Sequence, residues 1–577
     1  MAAGRWLSYL RPHSNAVTPT ALRLLIAAVS GAALSLSFTG FYLAIYAWIC
    51  VGILMVALFG ARPWIAFTCG FLHAVVFGIT SEAWIATVLA VHGDIPPIAS
   101  WGLLLMVVAL WGIAAGVFAW LLNRLARRSV ALACIAAPFI WVAAEFLHGK
   151  TPDIGFPWNL LGYSAAANIG LLQITSVTGV YGLSFLMMCF NSLLAWTDGA
   201  AAPRARTRVA IFASAAVGIL LLYLVTPRLV PAATANHVAR AVQLNFPEAP
   251  SYGNDWFQQH AAEMREVEQL SLRKDGANPD LLVWPEAPAP FSEEETPFAT
   301  FASSLAIQFD HPFLAGTVEW RHAPAADGKP AGYQVPYNSA VLLDHQGQRV
   351  FTYDKIHLVP FGEYEPFPLI HQVVSSVSSE VGGFAKGSQY SIGQLPGGFT
   401  FGTFICYEAI FPGEIRNFAN DGAELFINIS NDGWFGRSAA AEQHLRMARV
   451  RAAENRRWII RSTNNGLTAA IDPYGRMYRP LPPDVRAAAN LPYDFRTDKT
   501  IYTRFGDWFA WLCVVVSFIL FLWTFVERGA GENIAIPVVE SPVVVLEPPL
   551  ATARICRGES LDSHGGAVSL GTQSVRI

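Results

Sequence analysis

Cys406 is the residue of this sequence best placed to act as a nucleophile. It ends an apolar run, residues 400–406, that predicts a β-strand, and a helical pattern over 410–420 follows. A turn of this kind exposes a sulfur atom while neighbouring backbone N–H groups can point at an oxyanion. The same residue could instead be a small apolar side chain buried at a strand end.

Two charged residues at other predicted strand ends could activate this thiol. Glu286 follows the predicted strand 280–284, and Pro285 stops strand pairing there, so the carboxylate lies at the rim of a sheet. Lys355 lies in a weakly periodic loop. A thiolate needs a base or a positive neighbour to form near neutral pH. We therefore expect Glu286 to take the thiol proton and Lys355 to stabilise negative charge, although either residue alone could be an ordinary solvated charge.

These three residues require a folded domain with several strands. Helical patterns over 255–274 and 439–457 are interleaved with β-rich runs, which indicates an α/β domain whose helices cover the sheet faces. We assign this domain to residues 227–505. The predicted strands are 237–244, 280–284, 312–320, 338–343, 400–406, 424–429 and 458–461.

The rest of the chain is dominated by apolar runs. A membrane-spanning helix needs about 20 mostly apolar residues, and eight runs approach this length. Seven lie in a membrane domain, residues 1–226, and the eighth in a C-terminal segment, 506–528. Residues 529–577 have no helical period and are expected to be a disordered cytoplasmic tail. The predicted spans are 22–38, 42–60, 64–82, 100–122, 130–147, 171–195, 209–226 and 508–526.

Basic residues predict the orientation of these spans. Lys and Arg cluster at alternate connections, with Lys150 the main exception, and such residues stay on the cytoplasmic side. Seven spans then place the α/β domain outside the cytoplasmic membrane. The clustered residues are Arg5, Arg11, Arg62, Arg124, Arg127, Arg128, Arg204, Arg206, Arg208 and Arg528.

Composition excludes several classes of protein. Of 577 residues, 53% are hydrophobic and only 14% are charged, whereas a soluble domain carries about 25% charged residues. The net charge of -3 gives no support for nucleic-acid binding. A dominant disordered state and an ordinary cytosolic enzyme are both excluded. Cys406 is the one cysteine of the 227–505 domain, so an external disulfide within that domain has no second partner.

The candidate residues lie in strings that resemble a known family. Three strings are similar to those that carry the Glu–Lys–Cys triad of the nitrilase superfamily: Trp284-Pro-Glu286, Lys355-Ile-His-Leu-Val-Pro-Phe-Gly-Glu-Tyr364 and Cys406-Tyr-Glu408. With eight spans around it, the domain resembles the apolipoprotein N-acyltransferases of Gram-negative bacteria over about residues 20–526. Further matching strings are 145–149, 155–164, 430–436, 443–444 and 461–466.

The resemblance implies a fold and a set of residue roles. The fold is a multi-pass α-helical bundle with an outer nitrilase-like α-β-β-α sandwich. Glu286 is then the general base, Lys355 the oxyanion stabiliser and Cys406 the nucleophile. Glu363 is implied as a further essential carboxylate, or as an ion pair that only holds Lys355.

The resemblance implies less direct roles for three other residues. Tyr407 and Glu408 are implied to support the cysteine, or only to pack behind it. Trp256 is implied to lie on a mobile arm over the entrance, or on a packed helix face. Trp84, Trp101 and Trp158, in the connections between spans, could lie at the membrane interface.

The reaction implied by the resemblance is acyl transfer in two steps. Cys406 takes a fatty acyl chain from the sn-1 ester of a phospholipid and passes it to the N-terminal amino group of diacylglyceryl-cysteine on an apolipoprotein. No cofactor and no metal are expected, since no His/Cys cluster has ligand spacing. The expected enzyme is monomeric and lies in the inner membrane of a Gram-negative bacterium, with its catalytic domain in the periplasm.

Two other functions compete with this one. A membrane-tethered amidase or nitrilase would share the triad but would need one anchor rather than eight spans. A transporter or receptor would place ionisable residues near the middle of the membrane, whereas here the candidate residues lie outside it. A binding protein would also tolerate replacement of Cys406 by serine.

Overall fold

The computed structural model describes most of the chain up to residue 526. The described ranges are 19–39, 41–93, 95–151, 155–198, 202–247, 255–287, 291, 296–322, 334–360, 362–364 and 383–526. They fall within one unit of internally contacting residues, Met1–Val526. The predicted cytoplasmic tail, 529–577, lies outside the described residues.

Among the described residues, six helices are long and apolar enough to cross a membrane, which fits the predicted multi-pass helical membrane protein. The predicted spans 42–60 and 508–526 correspond to shorter apolar helices, Leu43–Leu58 and Trp508–Trp523. The six long helices are Thr20–Phe38, Pro63–Ser81, Pro97–Arg128, Val130–Gly149, Val180–Thr197 and Ala205–Leu229.

The predicted span 171–195 is wrong at its start. Gly179 has a φ of +67°, which ends the short helix Thr175–Thr178, and the long helix begins only at Val180. A left-handed backbone suits glycine and cannot continue an α-helix. The membrane half also contains shorter helices: Ile169–Leu172, Trp84–Val91 and Cys50–Leu58, with 3-10 turns at Leu36–Phe38, Phe41–Trp48 and Leu161–Ala165.

Small residues allow the long helices to approach one another closely. A Cβ atom on Gly31 would lie 2.2 Å from the carbonyl oxygen of His73, and one on Gly70 would lie 2.3 Å from that of Ala115. Such contacts are typical of membrane helix pairs. They hold the first three of the six long helices, Thr20–Phe38, Pro63–Ser81 and Pro97–Arg128, each in direct contact with the next.

The outer part of the chain contains two six-stranded sheets, which confirms the predicted α/β domain. One sheet has the order β12-β1-β2-β3-β4-β5 and the other the order β11-β10-β9-β8-β7-β6. The strands are β1 His237–Gln243, β2 Leu281–Val283, β3 Phe313–His322, β4 Gln334–Leu343, β5 Arg349–Asp354, β6 Ile392–Gln394, β7 Thr400–Ile405, β8 Leu425–Ser430, β9 Ile459–Thr463, β10 Ala469–Ile471, β11 Met477–Tyr478 and β12 Ala487–Tyr493.

All seven predicted strands are present, and five further strands were not predicted. β5, β6, β10, β11 and β12 are short or lack a regular apolar alternation. The predicted helix 255–274 is divided at His260 into Trp256–Gln259 and Ala261–Ser271. The other outer helices are Thr296–Phe309, Pro412–Asn420, Ala440–Asn455 and Ile501–Phe505.

Strand direction brings the predicted site residues to common sheet edges. β2 and β3 are parallel, and β4 is antiparallel to both β3 and β5, so β2 and β5 run in the same direction. Glu286 follows β2 and Lys355 follows β5, so both residues leave the same edge. Cys406 directly follows β7 of the other sheet. One buried apolar cluster contains residues of both sheets, among them Val283 and Phe404.

Helix Ala440–Asn455 joins the outer domain to the membrane helices. Arg446 donates to the carbonyl oxygen of Ser37 at 3.0 Å, and the N–H of Val180 donates to Glu454 at 2.9 Å. Arg451 and Glu454 form a fully buried ion pair at 3.1 Å, and Arg451 also donates to the hydroxyl of Tyr163. The outer domain is therefore fixed to the ends of several membrane helices by buried polar contacts.

Candidate active site

Cys406 lies at a sharp turn between strand β7 and a short helical segment. Its φ is +47°, an uncommon conformation for a residue with a side chain, and its side chain is buried. A non-glycine residue in this region costs about 1–3 kcal/mol and persists only where its surroundings enforce it. The segment Cys406–Ile410 that follows is a 3-10 helix.

Glu286, Lys355 and Glu363 form one buried ionic group. Nζ of Lys355 lies 3.2 Å from Oε1 of Glu286 and 2.9 Å from Oε1 of Glu363. Nδ2 of Asn338 donates to the same two carboxylate oxygens, at 2.7 Å each. Glu286 also accepts the backbone N–H of Asn431 at 2.8 Å. Charge pairing and hydrogen bonds thus offset the cost of burying two carboxylates and an ammonium group.

The Cys406 thiol lies in the electrostatic field of this group. Burial raises the pKa of the thiol well above its usual range, Glu286 raises that pKa further, and Lys355 lowers it. Burial alone would lower the pKa of Lys355, but Glu286, Glu363 and Cys406 together raise it above its usual range. The resting site therefore pairs a protonated thiol with a charged ammonium group and needs a base to release the thiolate.

Glu363 and Glu408 each fix a backbone segment of the site. Oε2 of Glu363 accepts the N–H of Val359 at 2.7 Å, which closes the loop after β5 onto Lys355. Glu408 accepts the N–H groups of Ile405 and Ile356 at 2.7 Å each. Glu408 therefore ties the segment around the nucleophile to the segment that carries Lys355.

Tyr407 faces the membrane half of the protein. Its ring lies 6.3 Å from that of Phe156, in the connection after helix Val130–Gly149, and 5.2 Å from that of Phe411. The ring of His357 lies 5.8 Å from that of Tyr407. Tyr407 and Glu408 thus extend from the nucleophile turn in different directions, the first toward the membrane connection and the second toward the loop after β5.

Trp256 lies in a second buried cluster of the outer domain. It is buried in an aromatic cluster with Phe246 and Phe291, and its ring stacks on His260 with centroids 4.3 Å apart. Trp284, two residues before Glu286, belongs to the same cluster. The role of Trp256 on a mobile arm stays a prediction.

The expectation that Trp158 lies at the membrane interface is wrong. Its side chain is 0% exposed, because Trp84, Phe435 and His444 cover its ring with centroids 5.0 to 5.7 Å away. Its Nε1 donates to Oε1 of Gln443 at 2.7 Å. Trp158 therefore belongs to the contact between the membrane half and the outer domain.

Sequence reasoning assigned no role to four buried polar residues near Cys406. They are Asn338, Asp432, His444 and Arg461. His444 contacts the carbonyl oxygen of Cys406 at 2.9 Å, and Arg461 contacts Asp432 at 2.7 Å. Asp432, His444 and Arg461 lie in strings that match the family, 430–436, 443–444 and 461–466, whereas Asn338 is a polar residue of the largely apolar strand β4.

Known protein families match both halves of the chain. A family model described as carbon-nitrogen hydrolase matches residues 239–486, and one described as the apolipoprotein N-acyltransferase N-terminal domain matches residues 30–193. An apolipoprotein N-acyltransferase of Geobacter metallireducens is 34% identical over 499 residues, which cover 85% of this chain and 93% of the relative. One from Brucella melitensis is 35% identical over 399 residues, 68% of this chain and 73% of the relative.

Among solved structures, the amidase from Nesterenkonia sp. AN1 aligns with a TM-score of 0.32. It is 17% identical, and the alignment covers 46% of this chain and 93% of the amidase.

The outer domain is a carbon-nitrogen hydrolase domain of the nitrilase superfamily, here joined to a membrane bundle. The chain as a whole belongs to the apolipoprotein N-acyltransferase family. It is an acyltransferase, and its helices make it a multi-pass membrane protein.

Proposed function

We propose that this enzyme moves a fatty acyl chain from the sn-1 position of a phospholipid to the N-terminal amino group of diacylglyceryl-cysteine on an apolipoprotein. The observation that carries the proposal is the arrangement of Cys406 beside the buried Glu286–Lys355 pair, in a domain fixed to membrane helices. In this proposal Cys406 is the nucleophile, Glu286 the base and Lys355 the cation that stabilises negative charge. The membrane helices supply access to lipid.

In the first step Glu286 takes the thiol proton as the sulfur of Cys406 attacks the ester carbonyl. The carbonyl oxygen becomes an oxyanion, which the ammonium group of Lys355 and a backbone N–H group of the turn stabilise. The tetrahedral intermediate breaks its bond to the sn-1 oxygen. Glu286 returns its proton to that oxygen, so that a lysophospholipid leaves and a thioester on Cys406 remains.

In the second step the amino group of the lipoprotein attacks the thioester carbonyl. Glu286 accepts a proton from the nitrogen, and Lys355 again stabilises the oxyanion. The carbon–sulfur bond then breaks, an amide forms and the thiol regains its proton. One base serves both steps, as expected of a ping-pong reaction in which the donor product leaves before the acceptor binds.

The neighbouring residues support these steps in different ways. Glu363 shares Lys355 with Glu286 and holds the ammonium group between two carboxylates. Glu408 fixes the turn of the nucleophile against the loop of Lys355. Tyr407 borders the route from the membrane, and Trp256 belongs to the entrance arm.

The proposed architecture places the catalytic domain at the membrane, because both substrates carry lipid chains. The six long helices together with the shorter ones Leu43–Leu58 and Trp508–Trp523 make eight spans. Residues 1–226 form the membrane domain, 506–528 the last span and 529–577 the cytoplasmic tail. The two sheets of residues 227–505 are the inner layers of an α-β-β-α sandwich in the periplasm, above the inner membrane of a Gram-negative bacterium. The active unit is a monomer.

A reconstitution experiment tests the proposal. The purified chain, supplied with a phospholipid and a diacylated lipopeptide, is expected to yield a triacylated lipopeptide and a lysophospholipid in equal amounts. Release of free fatty acid without lipopeptide acylation would contradict the proposal and indicate a hydrolase. Binding of lipid without any turnover would indicate a receptor or transporter.

A further inference from the structure

His444 holds the backbone carbonyl group of Cys406. Its Nε2 atom lies 2.9 Å from that oxygen, and its side chain is fully buried on helix Ala440–Asn455. A carbonyl oxygen can only accept a hydrogen bond, so Nε2 must carry the proton. His444 therefore donates to the one peptide group that joins Cys406 to Tyr407.

The other ring nitrogen of His444 is held by a buried ion pair. Nδ1 lies 3.2 Å from Nη2 of Arg461 and 3.1 Å from Oδ1 of Asp432. Burial and the charge of Arg461 lower the pKa of His444, and Arg461 holds the pKa of Asp432 well below its usual range. Nε2 therefore donates to Cys406, while Nδ1 lies within hydrogen-bond distance of both Arg461 and Asp432, so the ring is held from both sides.

This hydrogen bond determines the direction of a second backbone group. A trans peptide is planar, and its C=O and N–H bonds point in opposite directions. With the Cys406 oxygen held by His444, the N–H of Tyr407 points to the opposite side. The hydrogen bond also stabilises the turn at Cys406, whose φ of +47° is strained for a residue with a side chain.

Trp158 connects this arrangement to the membrane half. Its ring stacks on the imidazole of His444, with centroids 5.7 Å apart and planes inclined by 24°. Its Nε1 donates to Gln443, the residue before His444. Both residues are fully buried. A side chain of the membrane domain thus limits the position of the histidine that holds the nucleophile's backbone.

We propose that His444, held in place by Trp158, is a positioning residue that orients the Cys406–Tyr407 peptide for acylation of the thiol. The inference rests on the proposed function, because it assumes that Cys406 is the nucleophile. It adds that the membrane domain helps to set the geometry of the catalytic turn. The outer domain would then be incompetent for acylation without the membrane contact.

Conservative and disruptive variants of the full-length enzyme test this role. His444→Gln keeps an N–H donor at a similar reach, whereas His444→Leu removes it. Trp158→Phe keeps a ring over His444, whereas Trp158→Leu removes it. His311→Leu, at an exposed histidine of the same domain, is the control. The measurements are the rate of acyl-enzyme formation at saturating phospholipid, the phospholipid concentration at half-saturation and the thermal midpoint.

We expect His444→Leu to slow acyl-enzyme formation at least about tenfold, with the half-saturating phospholipid concentration unchanged. His444→Gln should keep the rate within about threefold of that of the unmodified enzyme. Trp158→Leu should slow acylation more than Trp158→Phe. A full rate in His444→Leu, or equal losses in the Leu and Gln variants, would overturn the inference. If His444→Leu does not fold, a full rate in Trp158→Leu would overturn it instead.

A parallel Cys406→Ala variant separates this inference from the proposed function. Full turnover in Cys406→Ala would contradict the proposed function itself. Loss of turnover in Cys406→Ala together with a full rate in His444→Leu would leave the nucleophile in place and overturn only the positioning role.

Discussion

Lys355 and Glu286 lie 3.2 Å apart, Nζ to Oε1, and the side chains of both are more than nine-tenths buried. The base of the proposed mechanism is therefore held beside a cation in a site with little solvent. A buried pair of this kind is stable only when further hydrogen bonds satisfy it. Asn338 and the N–H of Asn431 supply them.

Removal of the base should stop thiol acylation. Glu286→Gln keeps the size of the side chain but cannot accept the thiol proton, so we expect a loss of about 10²- to 10⁴-fold in the rate of acyl-enzyme formation. Single-turnover acylation followed by mass spectrometry measures it. Glu266→Gln, at an exposed glutamate paired with Arg486, should keep the full rate.

The pH dependence of thiol alkylation tests the charge state of Cys406. Because burial raises the pKa of the thiol, iodoacetamide should react slowly near neutral pH, and the rate should keep rising past the ordinary thiol pKa of about 8.5. Lys355 lowers the pKa of the thiol, so Lys355→Met should react more slowly still. Lys274→Met, at an exposed lysine, should match the unmodified enzyme. A rate plateau at or below neutral pH would show a preformed thiolate and contradict this assignment.

Asn338 should matter for turnover, although its role could not be predicted from the sequence. Asn338→Leu removes a donor to both Glu286 and Glu363, and a hydrogen bond to a charged group is worth about 1.5–3 kcal/mol. We expect acylation to slow by about 10- to 100-fold. Asn236→Leu, which removes an exposed bond to Asp494, should leave the rate unchanged. Equal rates in the two variants would remove Asn338 from the site.

The buried ion pair at the domain junction should dominate local stability. Arg451→Met leaves Glu454 buried without its cation, which costs about 3–5 kcal/mol. The exposed pair of Arg437 with Asp484 contributes about 0–1 kcal/mol, so Arg437→Met is the matched control. Thermal unfolding of the detergent-solubilised protein should show a large shift for the first variant only. Similar shifts would mean that the junction does not depend on this pair.

The positions of Glu286 and Cys406 could be predicted because each follows a predicted strand, whereas strand β5 before Lys355 was not predicted. Apolar runs and the proline at 285 marked the ends of β2 and β7. The resemblance of the motifs then linked residues that are far apart in the sequence. The length of the apolar runs also identified the long membrane helices, because about 20 consecutive apolar residues favour a membrane-spanning helix.

The contacts between the two halves of the protein could not be predicted. Trp158 reads as an interfacial aromatic residue, and only the fold places it against His444. The roles of Asn338 and His444 depend on tertiary contacts between distant segments, which sequence spacing does not reveal. Gly179 likewise breaks the apolar run 171–195 through its backbone conformation, and hydropathy does not report that.

The central claim is that the sulfur of Cys406 carries the acyl chain between the two substrates. Mass spectrometry of the enzyme incubated with phospholipid and no acceptor tests it most directly. We expect one fatty acyl group on the peptide that contains Cys406, released by hydroxylamine and lost when a diacylated lipopeptide is added. An unmodified Cys406 under these conditions, together with full lipopeptide acylation by Cys406→Ala, would contradict the account.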